Sequence, residues 1–198
     1  PLVNLTLDAD LDGVEDSLDD CMNVAGTSTV DRSGCPDTDG DGYSDPDSGW
    51  NVGNGADAFP NEPTQWADQD SDGYGDNPLG IEPDGCPVSP GTSTLDRFGC
   101  GDGDGDGYSD PDGGWPVASG ADFCPTVSGT SNQDRSGCPD DDGDGYSDPD
   151  PAGNHGPSWG VGDGADAFIG NATQWIDADG DTLSLIHISE PTRRTIIA

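Results

Sequence analysis

Residues 37–45 read Asp-Thr-Asp-Gly-Asp-Gly-Tyr-Ser-Asp, and this nine-residue loop decides how the chain can fold. Carboxylates occupy positions 1, 3, 5 and 9 of the loop, and a glycine occupies position 6. The pattern occurs in five complete copies and in a sixth, starting at Asp177, that breaks off because Thr182 stands at the glycine position. Such repetition predicts an array of similar units. The complete copies, loops 1 to 5, start at Asp8, Asp37, Asp68, Asp102 and Asp140.

Two kinds of connector join these loops. The first is a cysteine loop in which the two cysteines are always 14 residues apart and the second ends the motif Asp-Arg-x-Gly-Cys. Three identical spacings favour local disulfides, and the lack of a Cys-x-x-Cys pair disfavours cysteine as a metal ligand. In the second connector Phe59 and Phe168 stand where the cysteine would be, so we expect a buried aromatic anchor there. The predicted disulfides are Cys21–Cys35, Cys86–Cys100 and Cys124–Cys138.

Alternating carboxylates followed by a glycine predict a loop that wraps its oxygens around one hard cation. The glycine permits the sharp turn that brings the position 7 carbonyl inward. Position 12 is not the glutamate of an EF-hand, so the candidate closing ligand is the Asp two residues before each anchor cysteine or phenylalanine. Calcium, in five or more ions, is favoured over magnesium, which prefers octahedral geometry with retained waters. The candidate ligands are Asp8, Asp10, Asp12, Val14, Asp16 and Asp19; Asp37, Asp39, Asp41, Tyr43, Asp45 and Asp57; Asp68, Asp70, Asp72, Tyr74, Asp76 and Asp84; Asp102, Asp104, Asp106, Tyr108, Asp110 and Asp122; Asp140, Asp142, Asp144, Tyr146, Asp148 and Asp166; and Asp177, Asp179 and Asp181.

The acidic pattern followed by Asp-x-Cys resembles the thrombospondin type 3 repeat. The segment from Asp8 to Cys21 keeps the complete spacing, and the resemblance covers nearly all of residues 8–182. It implies calcium ions wrapped by irregular chain, disulfides linking successive repeats, and a secreted protein. The other copies carry insertions before the closing Asp, which leaves the identity of their closing ligand open.

Composition limits what else the chain can be. It carries 41 acidic residues against 5 arginines, a formal net charge of -36, and its 198 residues include 32 glycines and 17 prolines. Ordering such a chain costs more free energy than its few large apolar side chains can return, so bound cations must substitute for a core. The alternative is a solvated, disordered spacer. The charge disfavours nucleic-acid partners, and no apolar run is long enough for membrane insertion.

No window shows useful helical or strand periodicity. We therefore predict an irregular fold of mostly coil and turns, an elongated array of calcium-wrapped, disulfide-linked repeats with little regular helix or strand. Residues 183–198 contain no Asp and resemble translated sequencing-adaptor read-through, so we expect a non-native tail. The predicted segments are 1–36, 68–101 and 102–139 with disulfide loops, 37–67 and 140–176 with Phe/Trp connectors, 177–182 as a truncated repeat, and the tail 183–198.

No catalytic constellation is present, so we do not expect an enzyme. The favoured function is an extracellular or cell-surface structural module, a stalk, spacer or fibre segment stiffened by calcium, for which self-association into fibres is one expectation. The alternative is an adhesion module that binds glycans or extracellular proteins through Trp and Tyr side chains; a third is the linker of a secreted hydrolase. The motif arginines Arg32, Arg97 and Arg135 are expected to pair with carboxylates or carbonyls inside the chain. Second cations are expected at Asp47, Asp112 or Asp150.

Overall fold

The computed structural model describes residues 7–178, Gly180, Thr182 and Leu183. Regular structure in this part of the chain consists of three single 3-10 turns, Val52–Asn54, Val117–Ser119 and Val161–Asp163. Two isolated bridges, Gly75 with Pro83 and Asp150 with Trp159, add no strand. The prediction of an irregular fold with little regular helix or strand is confirmed. No helix in the described ranges has the length and apolar character needed to cross a bilayer.

Disulfides replace most of a conventional core. The three predicted bridges are present, and each closes a loop worth about 3 kcal/mol in the chain-entropy model. Large apolar side chains such as Leu11 and Leu79 are exposed, and the buried apolar side chains are small. The fold therefore depends on covalent links, hydrogen bonds and whatever stabilises its buried carboxylates. The buried apolar residues within the described ranges are Cys35, Cys100, Cys124, Cys138, Ala56, Ala121 and Ala165.

The chain divides into two compact units. The described residues up to Thr92, together with Arg97–Cys100, form the first unit, which contains loops 1 to 3. Residues Ser93–Asp96 and the described residues from Gly101 onward form the second, which contains loops 4 and 5. The division falls inside one cysteine loop and not between repeats. The seven segments proposed from the sequence stay a prediction, and residues 184–198 of the predicted tail lie outside the described residues.

The Asp-Arg-x-Gly-Cys motif fastens each cysteine loop to the acidic loop that follows it. Asp31 accepts hydrogen bonds from the backbone N–H of Ser44 at 2.8 Å and from its hydroxyl at 2.6 Å. The N–H groups of Thr29 and Val30 donate to the carbonyl of Gly42. Equivalent bonds recur at the next two motifs, so the order of one repeat is passed to its successor through direct contacts. The corresponding carboxylate–serine pairs are Asp96 with Ser109 and Asp134 with Ser147.

Two of the motif arginines bond inside the chain, as the sequence predicts. The Arg32 guanidinium pairs with Asp47 at 2.8 Å and lies over the Trp50 ring at 5.3 Å. Arg135 donates to the carbonyl of His155 at 3.4 Å. Asp47 is thus engaged by an arginine and by two backbone N–H groups, and the second cation expected there stays a prediction.

The Phe/Trp connectors are anchored differently from the prediction. Phe59 and Phe168 are half-buried, so the expected buried phenylalanine anchor is wrong. The tryptophan at the other end of the connector stacks on the tyrosine of the preceding acidic loop: Tyr43 lies 5.2 Å from Trp66 with ring planes 6° apart. Tyr146 and Trp175 repeat the stack at 4.8 Å. The aromatic face that anchors this connector is therefore supplied by position 7 of the loop.

Replacement of Gly26 by alanine is expected to destabilise the first cysteine loop. A Cβ at this position would lie 1.9 Å from the carbonyl carbon of Cys35, and backbone cannot move aside cheaply. We expect a loss of about 3 kcal/mol or more, as for severe overpacking. Thermal unfolding in calcium-containing buffer measures the loss, and Gly101→Ala is the matched control because its Cβ meets nothing within 4 Å. Equal stability of the two variants would contradict the packing described here.

Candidate metal centres

Backbone N–H groups orient the carboxylates of each acidic loop. In loop 2, Asp37 accepts from Gly40 at 2.8 Å and from Gly42 at 3.1 Å, and Asp41 accepts from Tyr43 at 2.8 Å. These bonds curl the loop and turn its remaining oxygens toward one another. In every complete loop one oxygen from each of positions 1, 3 and 5 lies within 4.8 Å of the others. The triads are Asp8, Asp10 and Asp12; Asp37, Asp39 and Asp41; Asp68, Asp70 and Asp72; Asp102, Asp104 and Asp106; and Asp140, Asp142 and Asp144.

The aspartate at position 9 closes the loop at its base. The N–H of Asp45 donates to the carbonyl of Pro36 at 2.8 Å, and its carboxylate accepts from Thr38. Asp76 differs, because its Oδ1 is buried with no hydrogen-bond partner. The carbonyls at position 7 accept no hydrogen bond from any described residue, which leaves them available as ligands. The same base hydrogen bond is made by Asp16, Asp76, Asp110 and Asp148 to Leu7, Ala67, Gly101 and Pro139.

Insertions do not prevent the predicted closing aspartate from returning to its loop. Twelve positions separate Asp45 from Asp57, yet the N–H of Asp57 donates to the carbonyl of Ser44, position 8 of the same loop, at 2.9 Å. The inserted residues therefore leave the acidic loop after position 9, and the chain returns to it at position 8. This geometry brings the candidate closing residue to the loop in the copies for which the sequence left its identity open. The equivalent bonds join Asp84 to Gly75, Asp122 to Ser109 and Asp166 to Ser147.

Each closing aspartate has one oxygen in use and one without a partner. The Oδ1 atom of Asp122 accepts from the N–H of Cys124 at 2.7 Å, whereas its Oδ2 is buried and makes no hydrogen bond. A buried polar atom without a partner costs free energy, so an array of them indicates a missing ligand. Asp122 is 0% exposed, and none of the other four exceeds 8%. The same pattern holds for Asp19, Asp57, Asp84 and Asp166.

Electrostatics place these closing residues beside their own loops. Burial raises the pKa of Asp57 and of Asp84 to about 6 and that of Asp122 to about 7. The N–H two residues later lowers each pKa, and repulsion from carboxylates of the same loop raises it further; for Asp122 these are Asp106, Asp104 and Asp110. The pKa of Asp166 is raised by the same causes. Without a cation, each site concentrates negative charge that the fold does not neutralise.

The donor set fits a hard cation. Each complete loop offers the carboxylates of positions 1, 3, 5 and 9, the carbonyl of position 7 and the closing carboxylate, all of them oxygens. That number reaches the lower end of the six to eight ligands that calcium takes. Unpartnered buried oxygens occur in all five sites, as expected where a cation supplies the missing partner. Besides those of the closing residues and Asp76, they belong to Asp10, Asp39, Asp41, Asp70, Asp104 and Asp144.

Some predicted ligands differ in their surroundings. Asp177 accepts from Gly180 and Thr182 at 2.8 Å, so the truncated copy begins with the same turn as the complete loops. Asp179 and Asp181 lie outside the described residues. Asp150 accepts from the N–H groups of Asn154 and His155, and the second cation expected there stays a prediction.

The chemistry of these loops is the basis for any assignment, because the comparisons with known proteins add none. No protein-family model matches the chain, and no curated protein gives a significant match. The resemblance to the thrombospondin type 3 repeat therefore stays a prediction from the sequence.

The raised pKa values predict how pH acts on the metal-free protein. The pKa of Asp122 falls from about 7 in the fold to about 3.9 on unfolding, so the folded state binds more protons between these values. Stability of the metal-free protein should therefore increase as the pH is lowered from about 7.5 to about 5. Near-ultraviolet circular dichroism of the stacked Tyr and Trp rings, after removal of metals on a chelating resin, measures this. A signal that weakens over the same range would contradict the prediction.

Proposed function

We propose that the protein is a non-enzymatic, extracellular calcium-binding repeat module whose fold is ordered and stiffened by calcium. The observation that carries the proposal is the set of closing aspartates, each buried beside its own loop with one unpartnered oxygen. A divalent cation at each triad would satisfy these oxygens and convert repulsion into attraction. Binding and ordering would then be one event.

Calcium suits the sites better than magnesium does. The ligands come from a curled loop, a backbone carbonyl and a residue up to 18 positions beyond position 9, as from Asp148 to Asp166. Calcium accepts such irregular sets of six to eight oxygens, whereas magnesium demands near-ideal octahedral geometry and retains waters. The three disulfides support an oxidising location outside the cytosol.

A structural role follows from the way successive repeats are joined. The cysteine loop after loop 1 bonds directly to Gly42 and Ser44 of loop 2, so a cation that orders one loop also orders the connector that holds the next. Ordering passes along the chain as in other repeat proteins, in which each unit contacts mainly its neighbours. Such a module would act as a spacer or fibre segment.

Metal content tests the proposal most directly. Protein equilibrated with equal millimolar calcium and magnesium, then separated from free ions, should retain calcium in at least the number of its five acidic triads, with little magnesium. Inductively coupled plasma mass spectrometry measures both metals. Retention of less than one calcium per chain, or of magnesium in preference, would contradict the proposal.

An adhesion module is the second candidate, and one exposed surface favours it. Trp175 is 36% exposed and Ile176 is 55% exposed, side by side at the end of a Phe/Trp connector. Against it, Trp50 donates its indole N–H to Asp31 inside the fold and is therefore committed to structure. Binding to a glycan array that is lost in Trp175→Ala but kept in Tyr146→Ala, which removes the same ring stack, would favour adhesion.

A further inference from the structure

Arg135 is a buried cation without a carboxylate partner at hydrogen-bond distance. It is 3% exposed, and its guanidinium lies 4.2 Å from the Phe123 ring centroid and 5.4 Å from that of Trp159. Its hydrogen bonds go to the carbonyl of His155 and the sulfur of Cys124, and its Nε has no partner. Arginine is almost never fully buried unless it is paired. Asp150 and Asp134 act on its charge only from beyond hydrogen-bond distance, so no carboxylate pairs with it directly.

The equivalent arginine shows which partner is missing. Arg32 donates to the carboxylate of Asp47 at 2.8 Å, and the Trp50 indole donates to Asp31 at 3.0 Å. Two residues lie between Asp47 and Trp50 in the sequence, whereas eight residues lie between Asp150 and Trp159. Residues 151–156 are thus a six-residue insertion at this point of the motif.

The insertion takes the carboxylate away from the arginine. Asp150 accepts from the N–H and side chain of Asn154 and from the N–H of His155, both in the insertion. The Trp159 indole N–H and the Nδ1 atom of His155 are buried without partners. The backbone N–H groups of Asp150 and Trp159 nevertheless donate to each other's carbonyls, whereas in the earlier motif only the N–H of Asp47 donates to the carbonyl of Trp50. Asp150 therefore does not form with Arg135 the ion pair that Asp47 forms with Arg32, and the place of that carboxylate beside the guanidinium is open.

A cavity of about 330 Å³ lies at this open position. Its walls include Arg135, His155, Asn154 and the Cys124–Cys138 disulfide, with prolines forming much of the remainder. The volume falls in the range of small-molecule sites, which combine apolar walls with a few convergent polar groups. Two carboxylates also line the cavity: Asp148, a proposed ligand of the loop 5 cation, which would offset its charge, and Asp150, whose oxygens already accept the hydrogen bonds from Asn154 and His155.

We propose that this cavity binds a small carboxylate, which pairs with the Arg135 guanidinium as Asp47 pairs with Arg32. The planar guanidinium presents its donors in a fork that matches a carboxylate. Aromatic rings on two sides hold the fork in place, so little side-chain entropy is lost on binding. The carboxylate belongs either to a free molecule of up to monosaccharide size or to an acidic side chain of a second copy. The site shares Asp148 with loop 5, so it rests on the proposed function in requiring a cation there, and any cation that offsets the charge of Asp148 will serve.

Titration of the native protein tests the site. Sodium acetate and sodium glucuronate, at constant ionic strength in calcium-containing buffer, should shift the Nε–Hε nuclear magnetic resonance signal of Arg135 in a saturable way, while the Arg32 signal stays unchanged. Glucose, which lacks the carboxylate, should not. If the source is a second copy, the Arg135 signal should instead change with protein concentration, and acetate should reverse that change.

Two variants provide the matched controls. Deletion of residues 151–156 restores the length of the Arg32 motif, so Asp150 should pair with Arg135 and acetate affinity should fall about tenfold or more. The indole N–H signal of Trp159, whose ring lies over the guanidinium, should respond to acetate in the native protein and not in Arg135→Gln. The deletion decides the matter if that variant does not fold. A saturable response to glucose, no response to either carboxylate or protein concentration, or undiminished acetate binding by the folded deletion variant would overturn the proposal.

Discussion

Removal of divalent cations should abolish most of the fold outside the disulfide loops. With the five proposed doubly charged ions removed, every triad is left with its mutual repulsion in a chain of net charge -36. The buried apolar side chains are half-cystines and alanines, so no hydrophobic core opposes that repulsion. Since a folded domain is stable by only about 5 to 15 kcal/mol, losing several charge-neutralising ions exceeds the margin.

Hydrogen–deuterium exchange measures this loss residue by residue. Amides that close the acidic loops, such as those of Asp45 and Asp57, should lose protection by about 10³-fold or more on chelation, which corresponds to about 4 kcal/mol or more of opening free energy. Residual protection is expected only near Cys35, Cys100 and Cys138, inside the covalent loops. Sodium chloride at matched ionic strength is the control, because screening alone cannot supply ligands. Unchanged protection after complete metal removal would exclude a metal-dependent fold.

Local pattern explains why so much of the fold could be predicted. The alternating carboxylates and the glycine at position 6 shape a loop of only nine residues, so the sequence alone predicts the loops. The constant cysteine spacing predicts the three disulfides. The irregular character also follows from the absence of any periodicity. All of these features depend on contacts that are close in the sequence.

Contacts between distant residues could not be predicted in the same way. The position of Asp57 before Phe59 predicts it as the closing residue, but nothing in the insertion, whose length varies between repeats, specifies that its N–H bonds to Ser44. The stack of Trp66 on Tyr43 joins residues 23 positions apart, and no periodic pattern links the two rings in the sequence. The sequence does contain a signal for the contact between the Asp-Arg motif and the next acidic loop. Serine stands at position 8 of every loop that such a motif precedes, as Ser44 does after Asp31.

Replacement of Asp122 by asparagine should have effects of opposite sign with and without metal. In the calcium-loaded protein the change removes a proposed ligand, and affinity at loop 4 should fall by about 100-fold or more, since even outer-shell partners of metal ligands are worth 10- to 100-fold. In the metal-free protein the change removes a buried charge whose pKa is raised to about 7. The asparagine amide can donate to the neighbouring carboxylates, Asp104 and Asp106, while its oxygen keeps the bond from Cys124.

Calorimetric calcium titration measures the first effect. Amide protection near pH 7.5 in metal-free buffer with added sodium sulfate, which strengthens effective burial and so retains a folded population, measures the second. Asp141→Asn is the matched control, because it removes the same charge from an exposed side chain at position 2 of loop 5. That variant should leave loop 4 affinity unchanged. A ligand role requires both effects in Asp122→Asn. Weaker calcium binding alone would also result from general disruption of the fold. Added protection without metal arises only if the fold holds the Asp122 carboxylate against repulsion from the other carboxylates of loop 4. Loss of protection in both states would show that Asp122 is a packing residue and not a ligand.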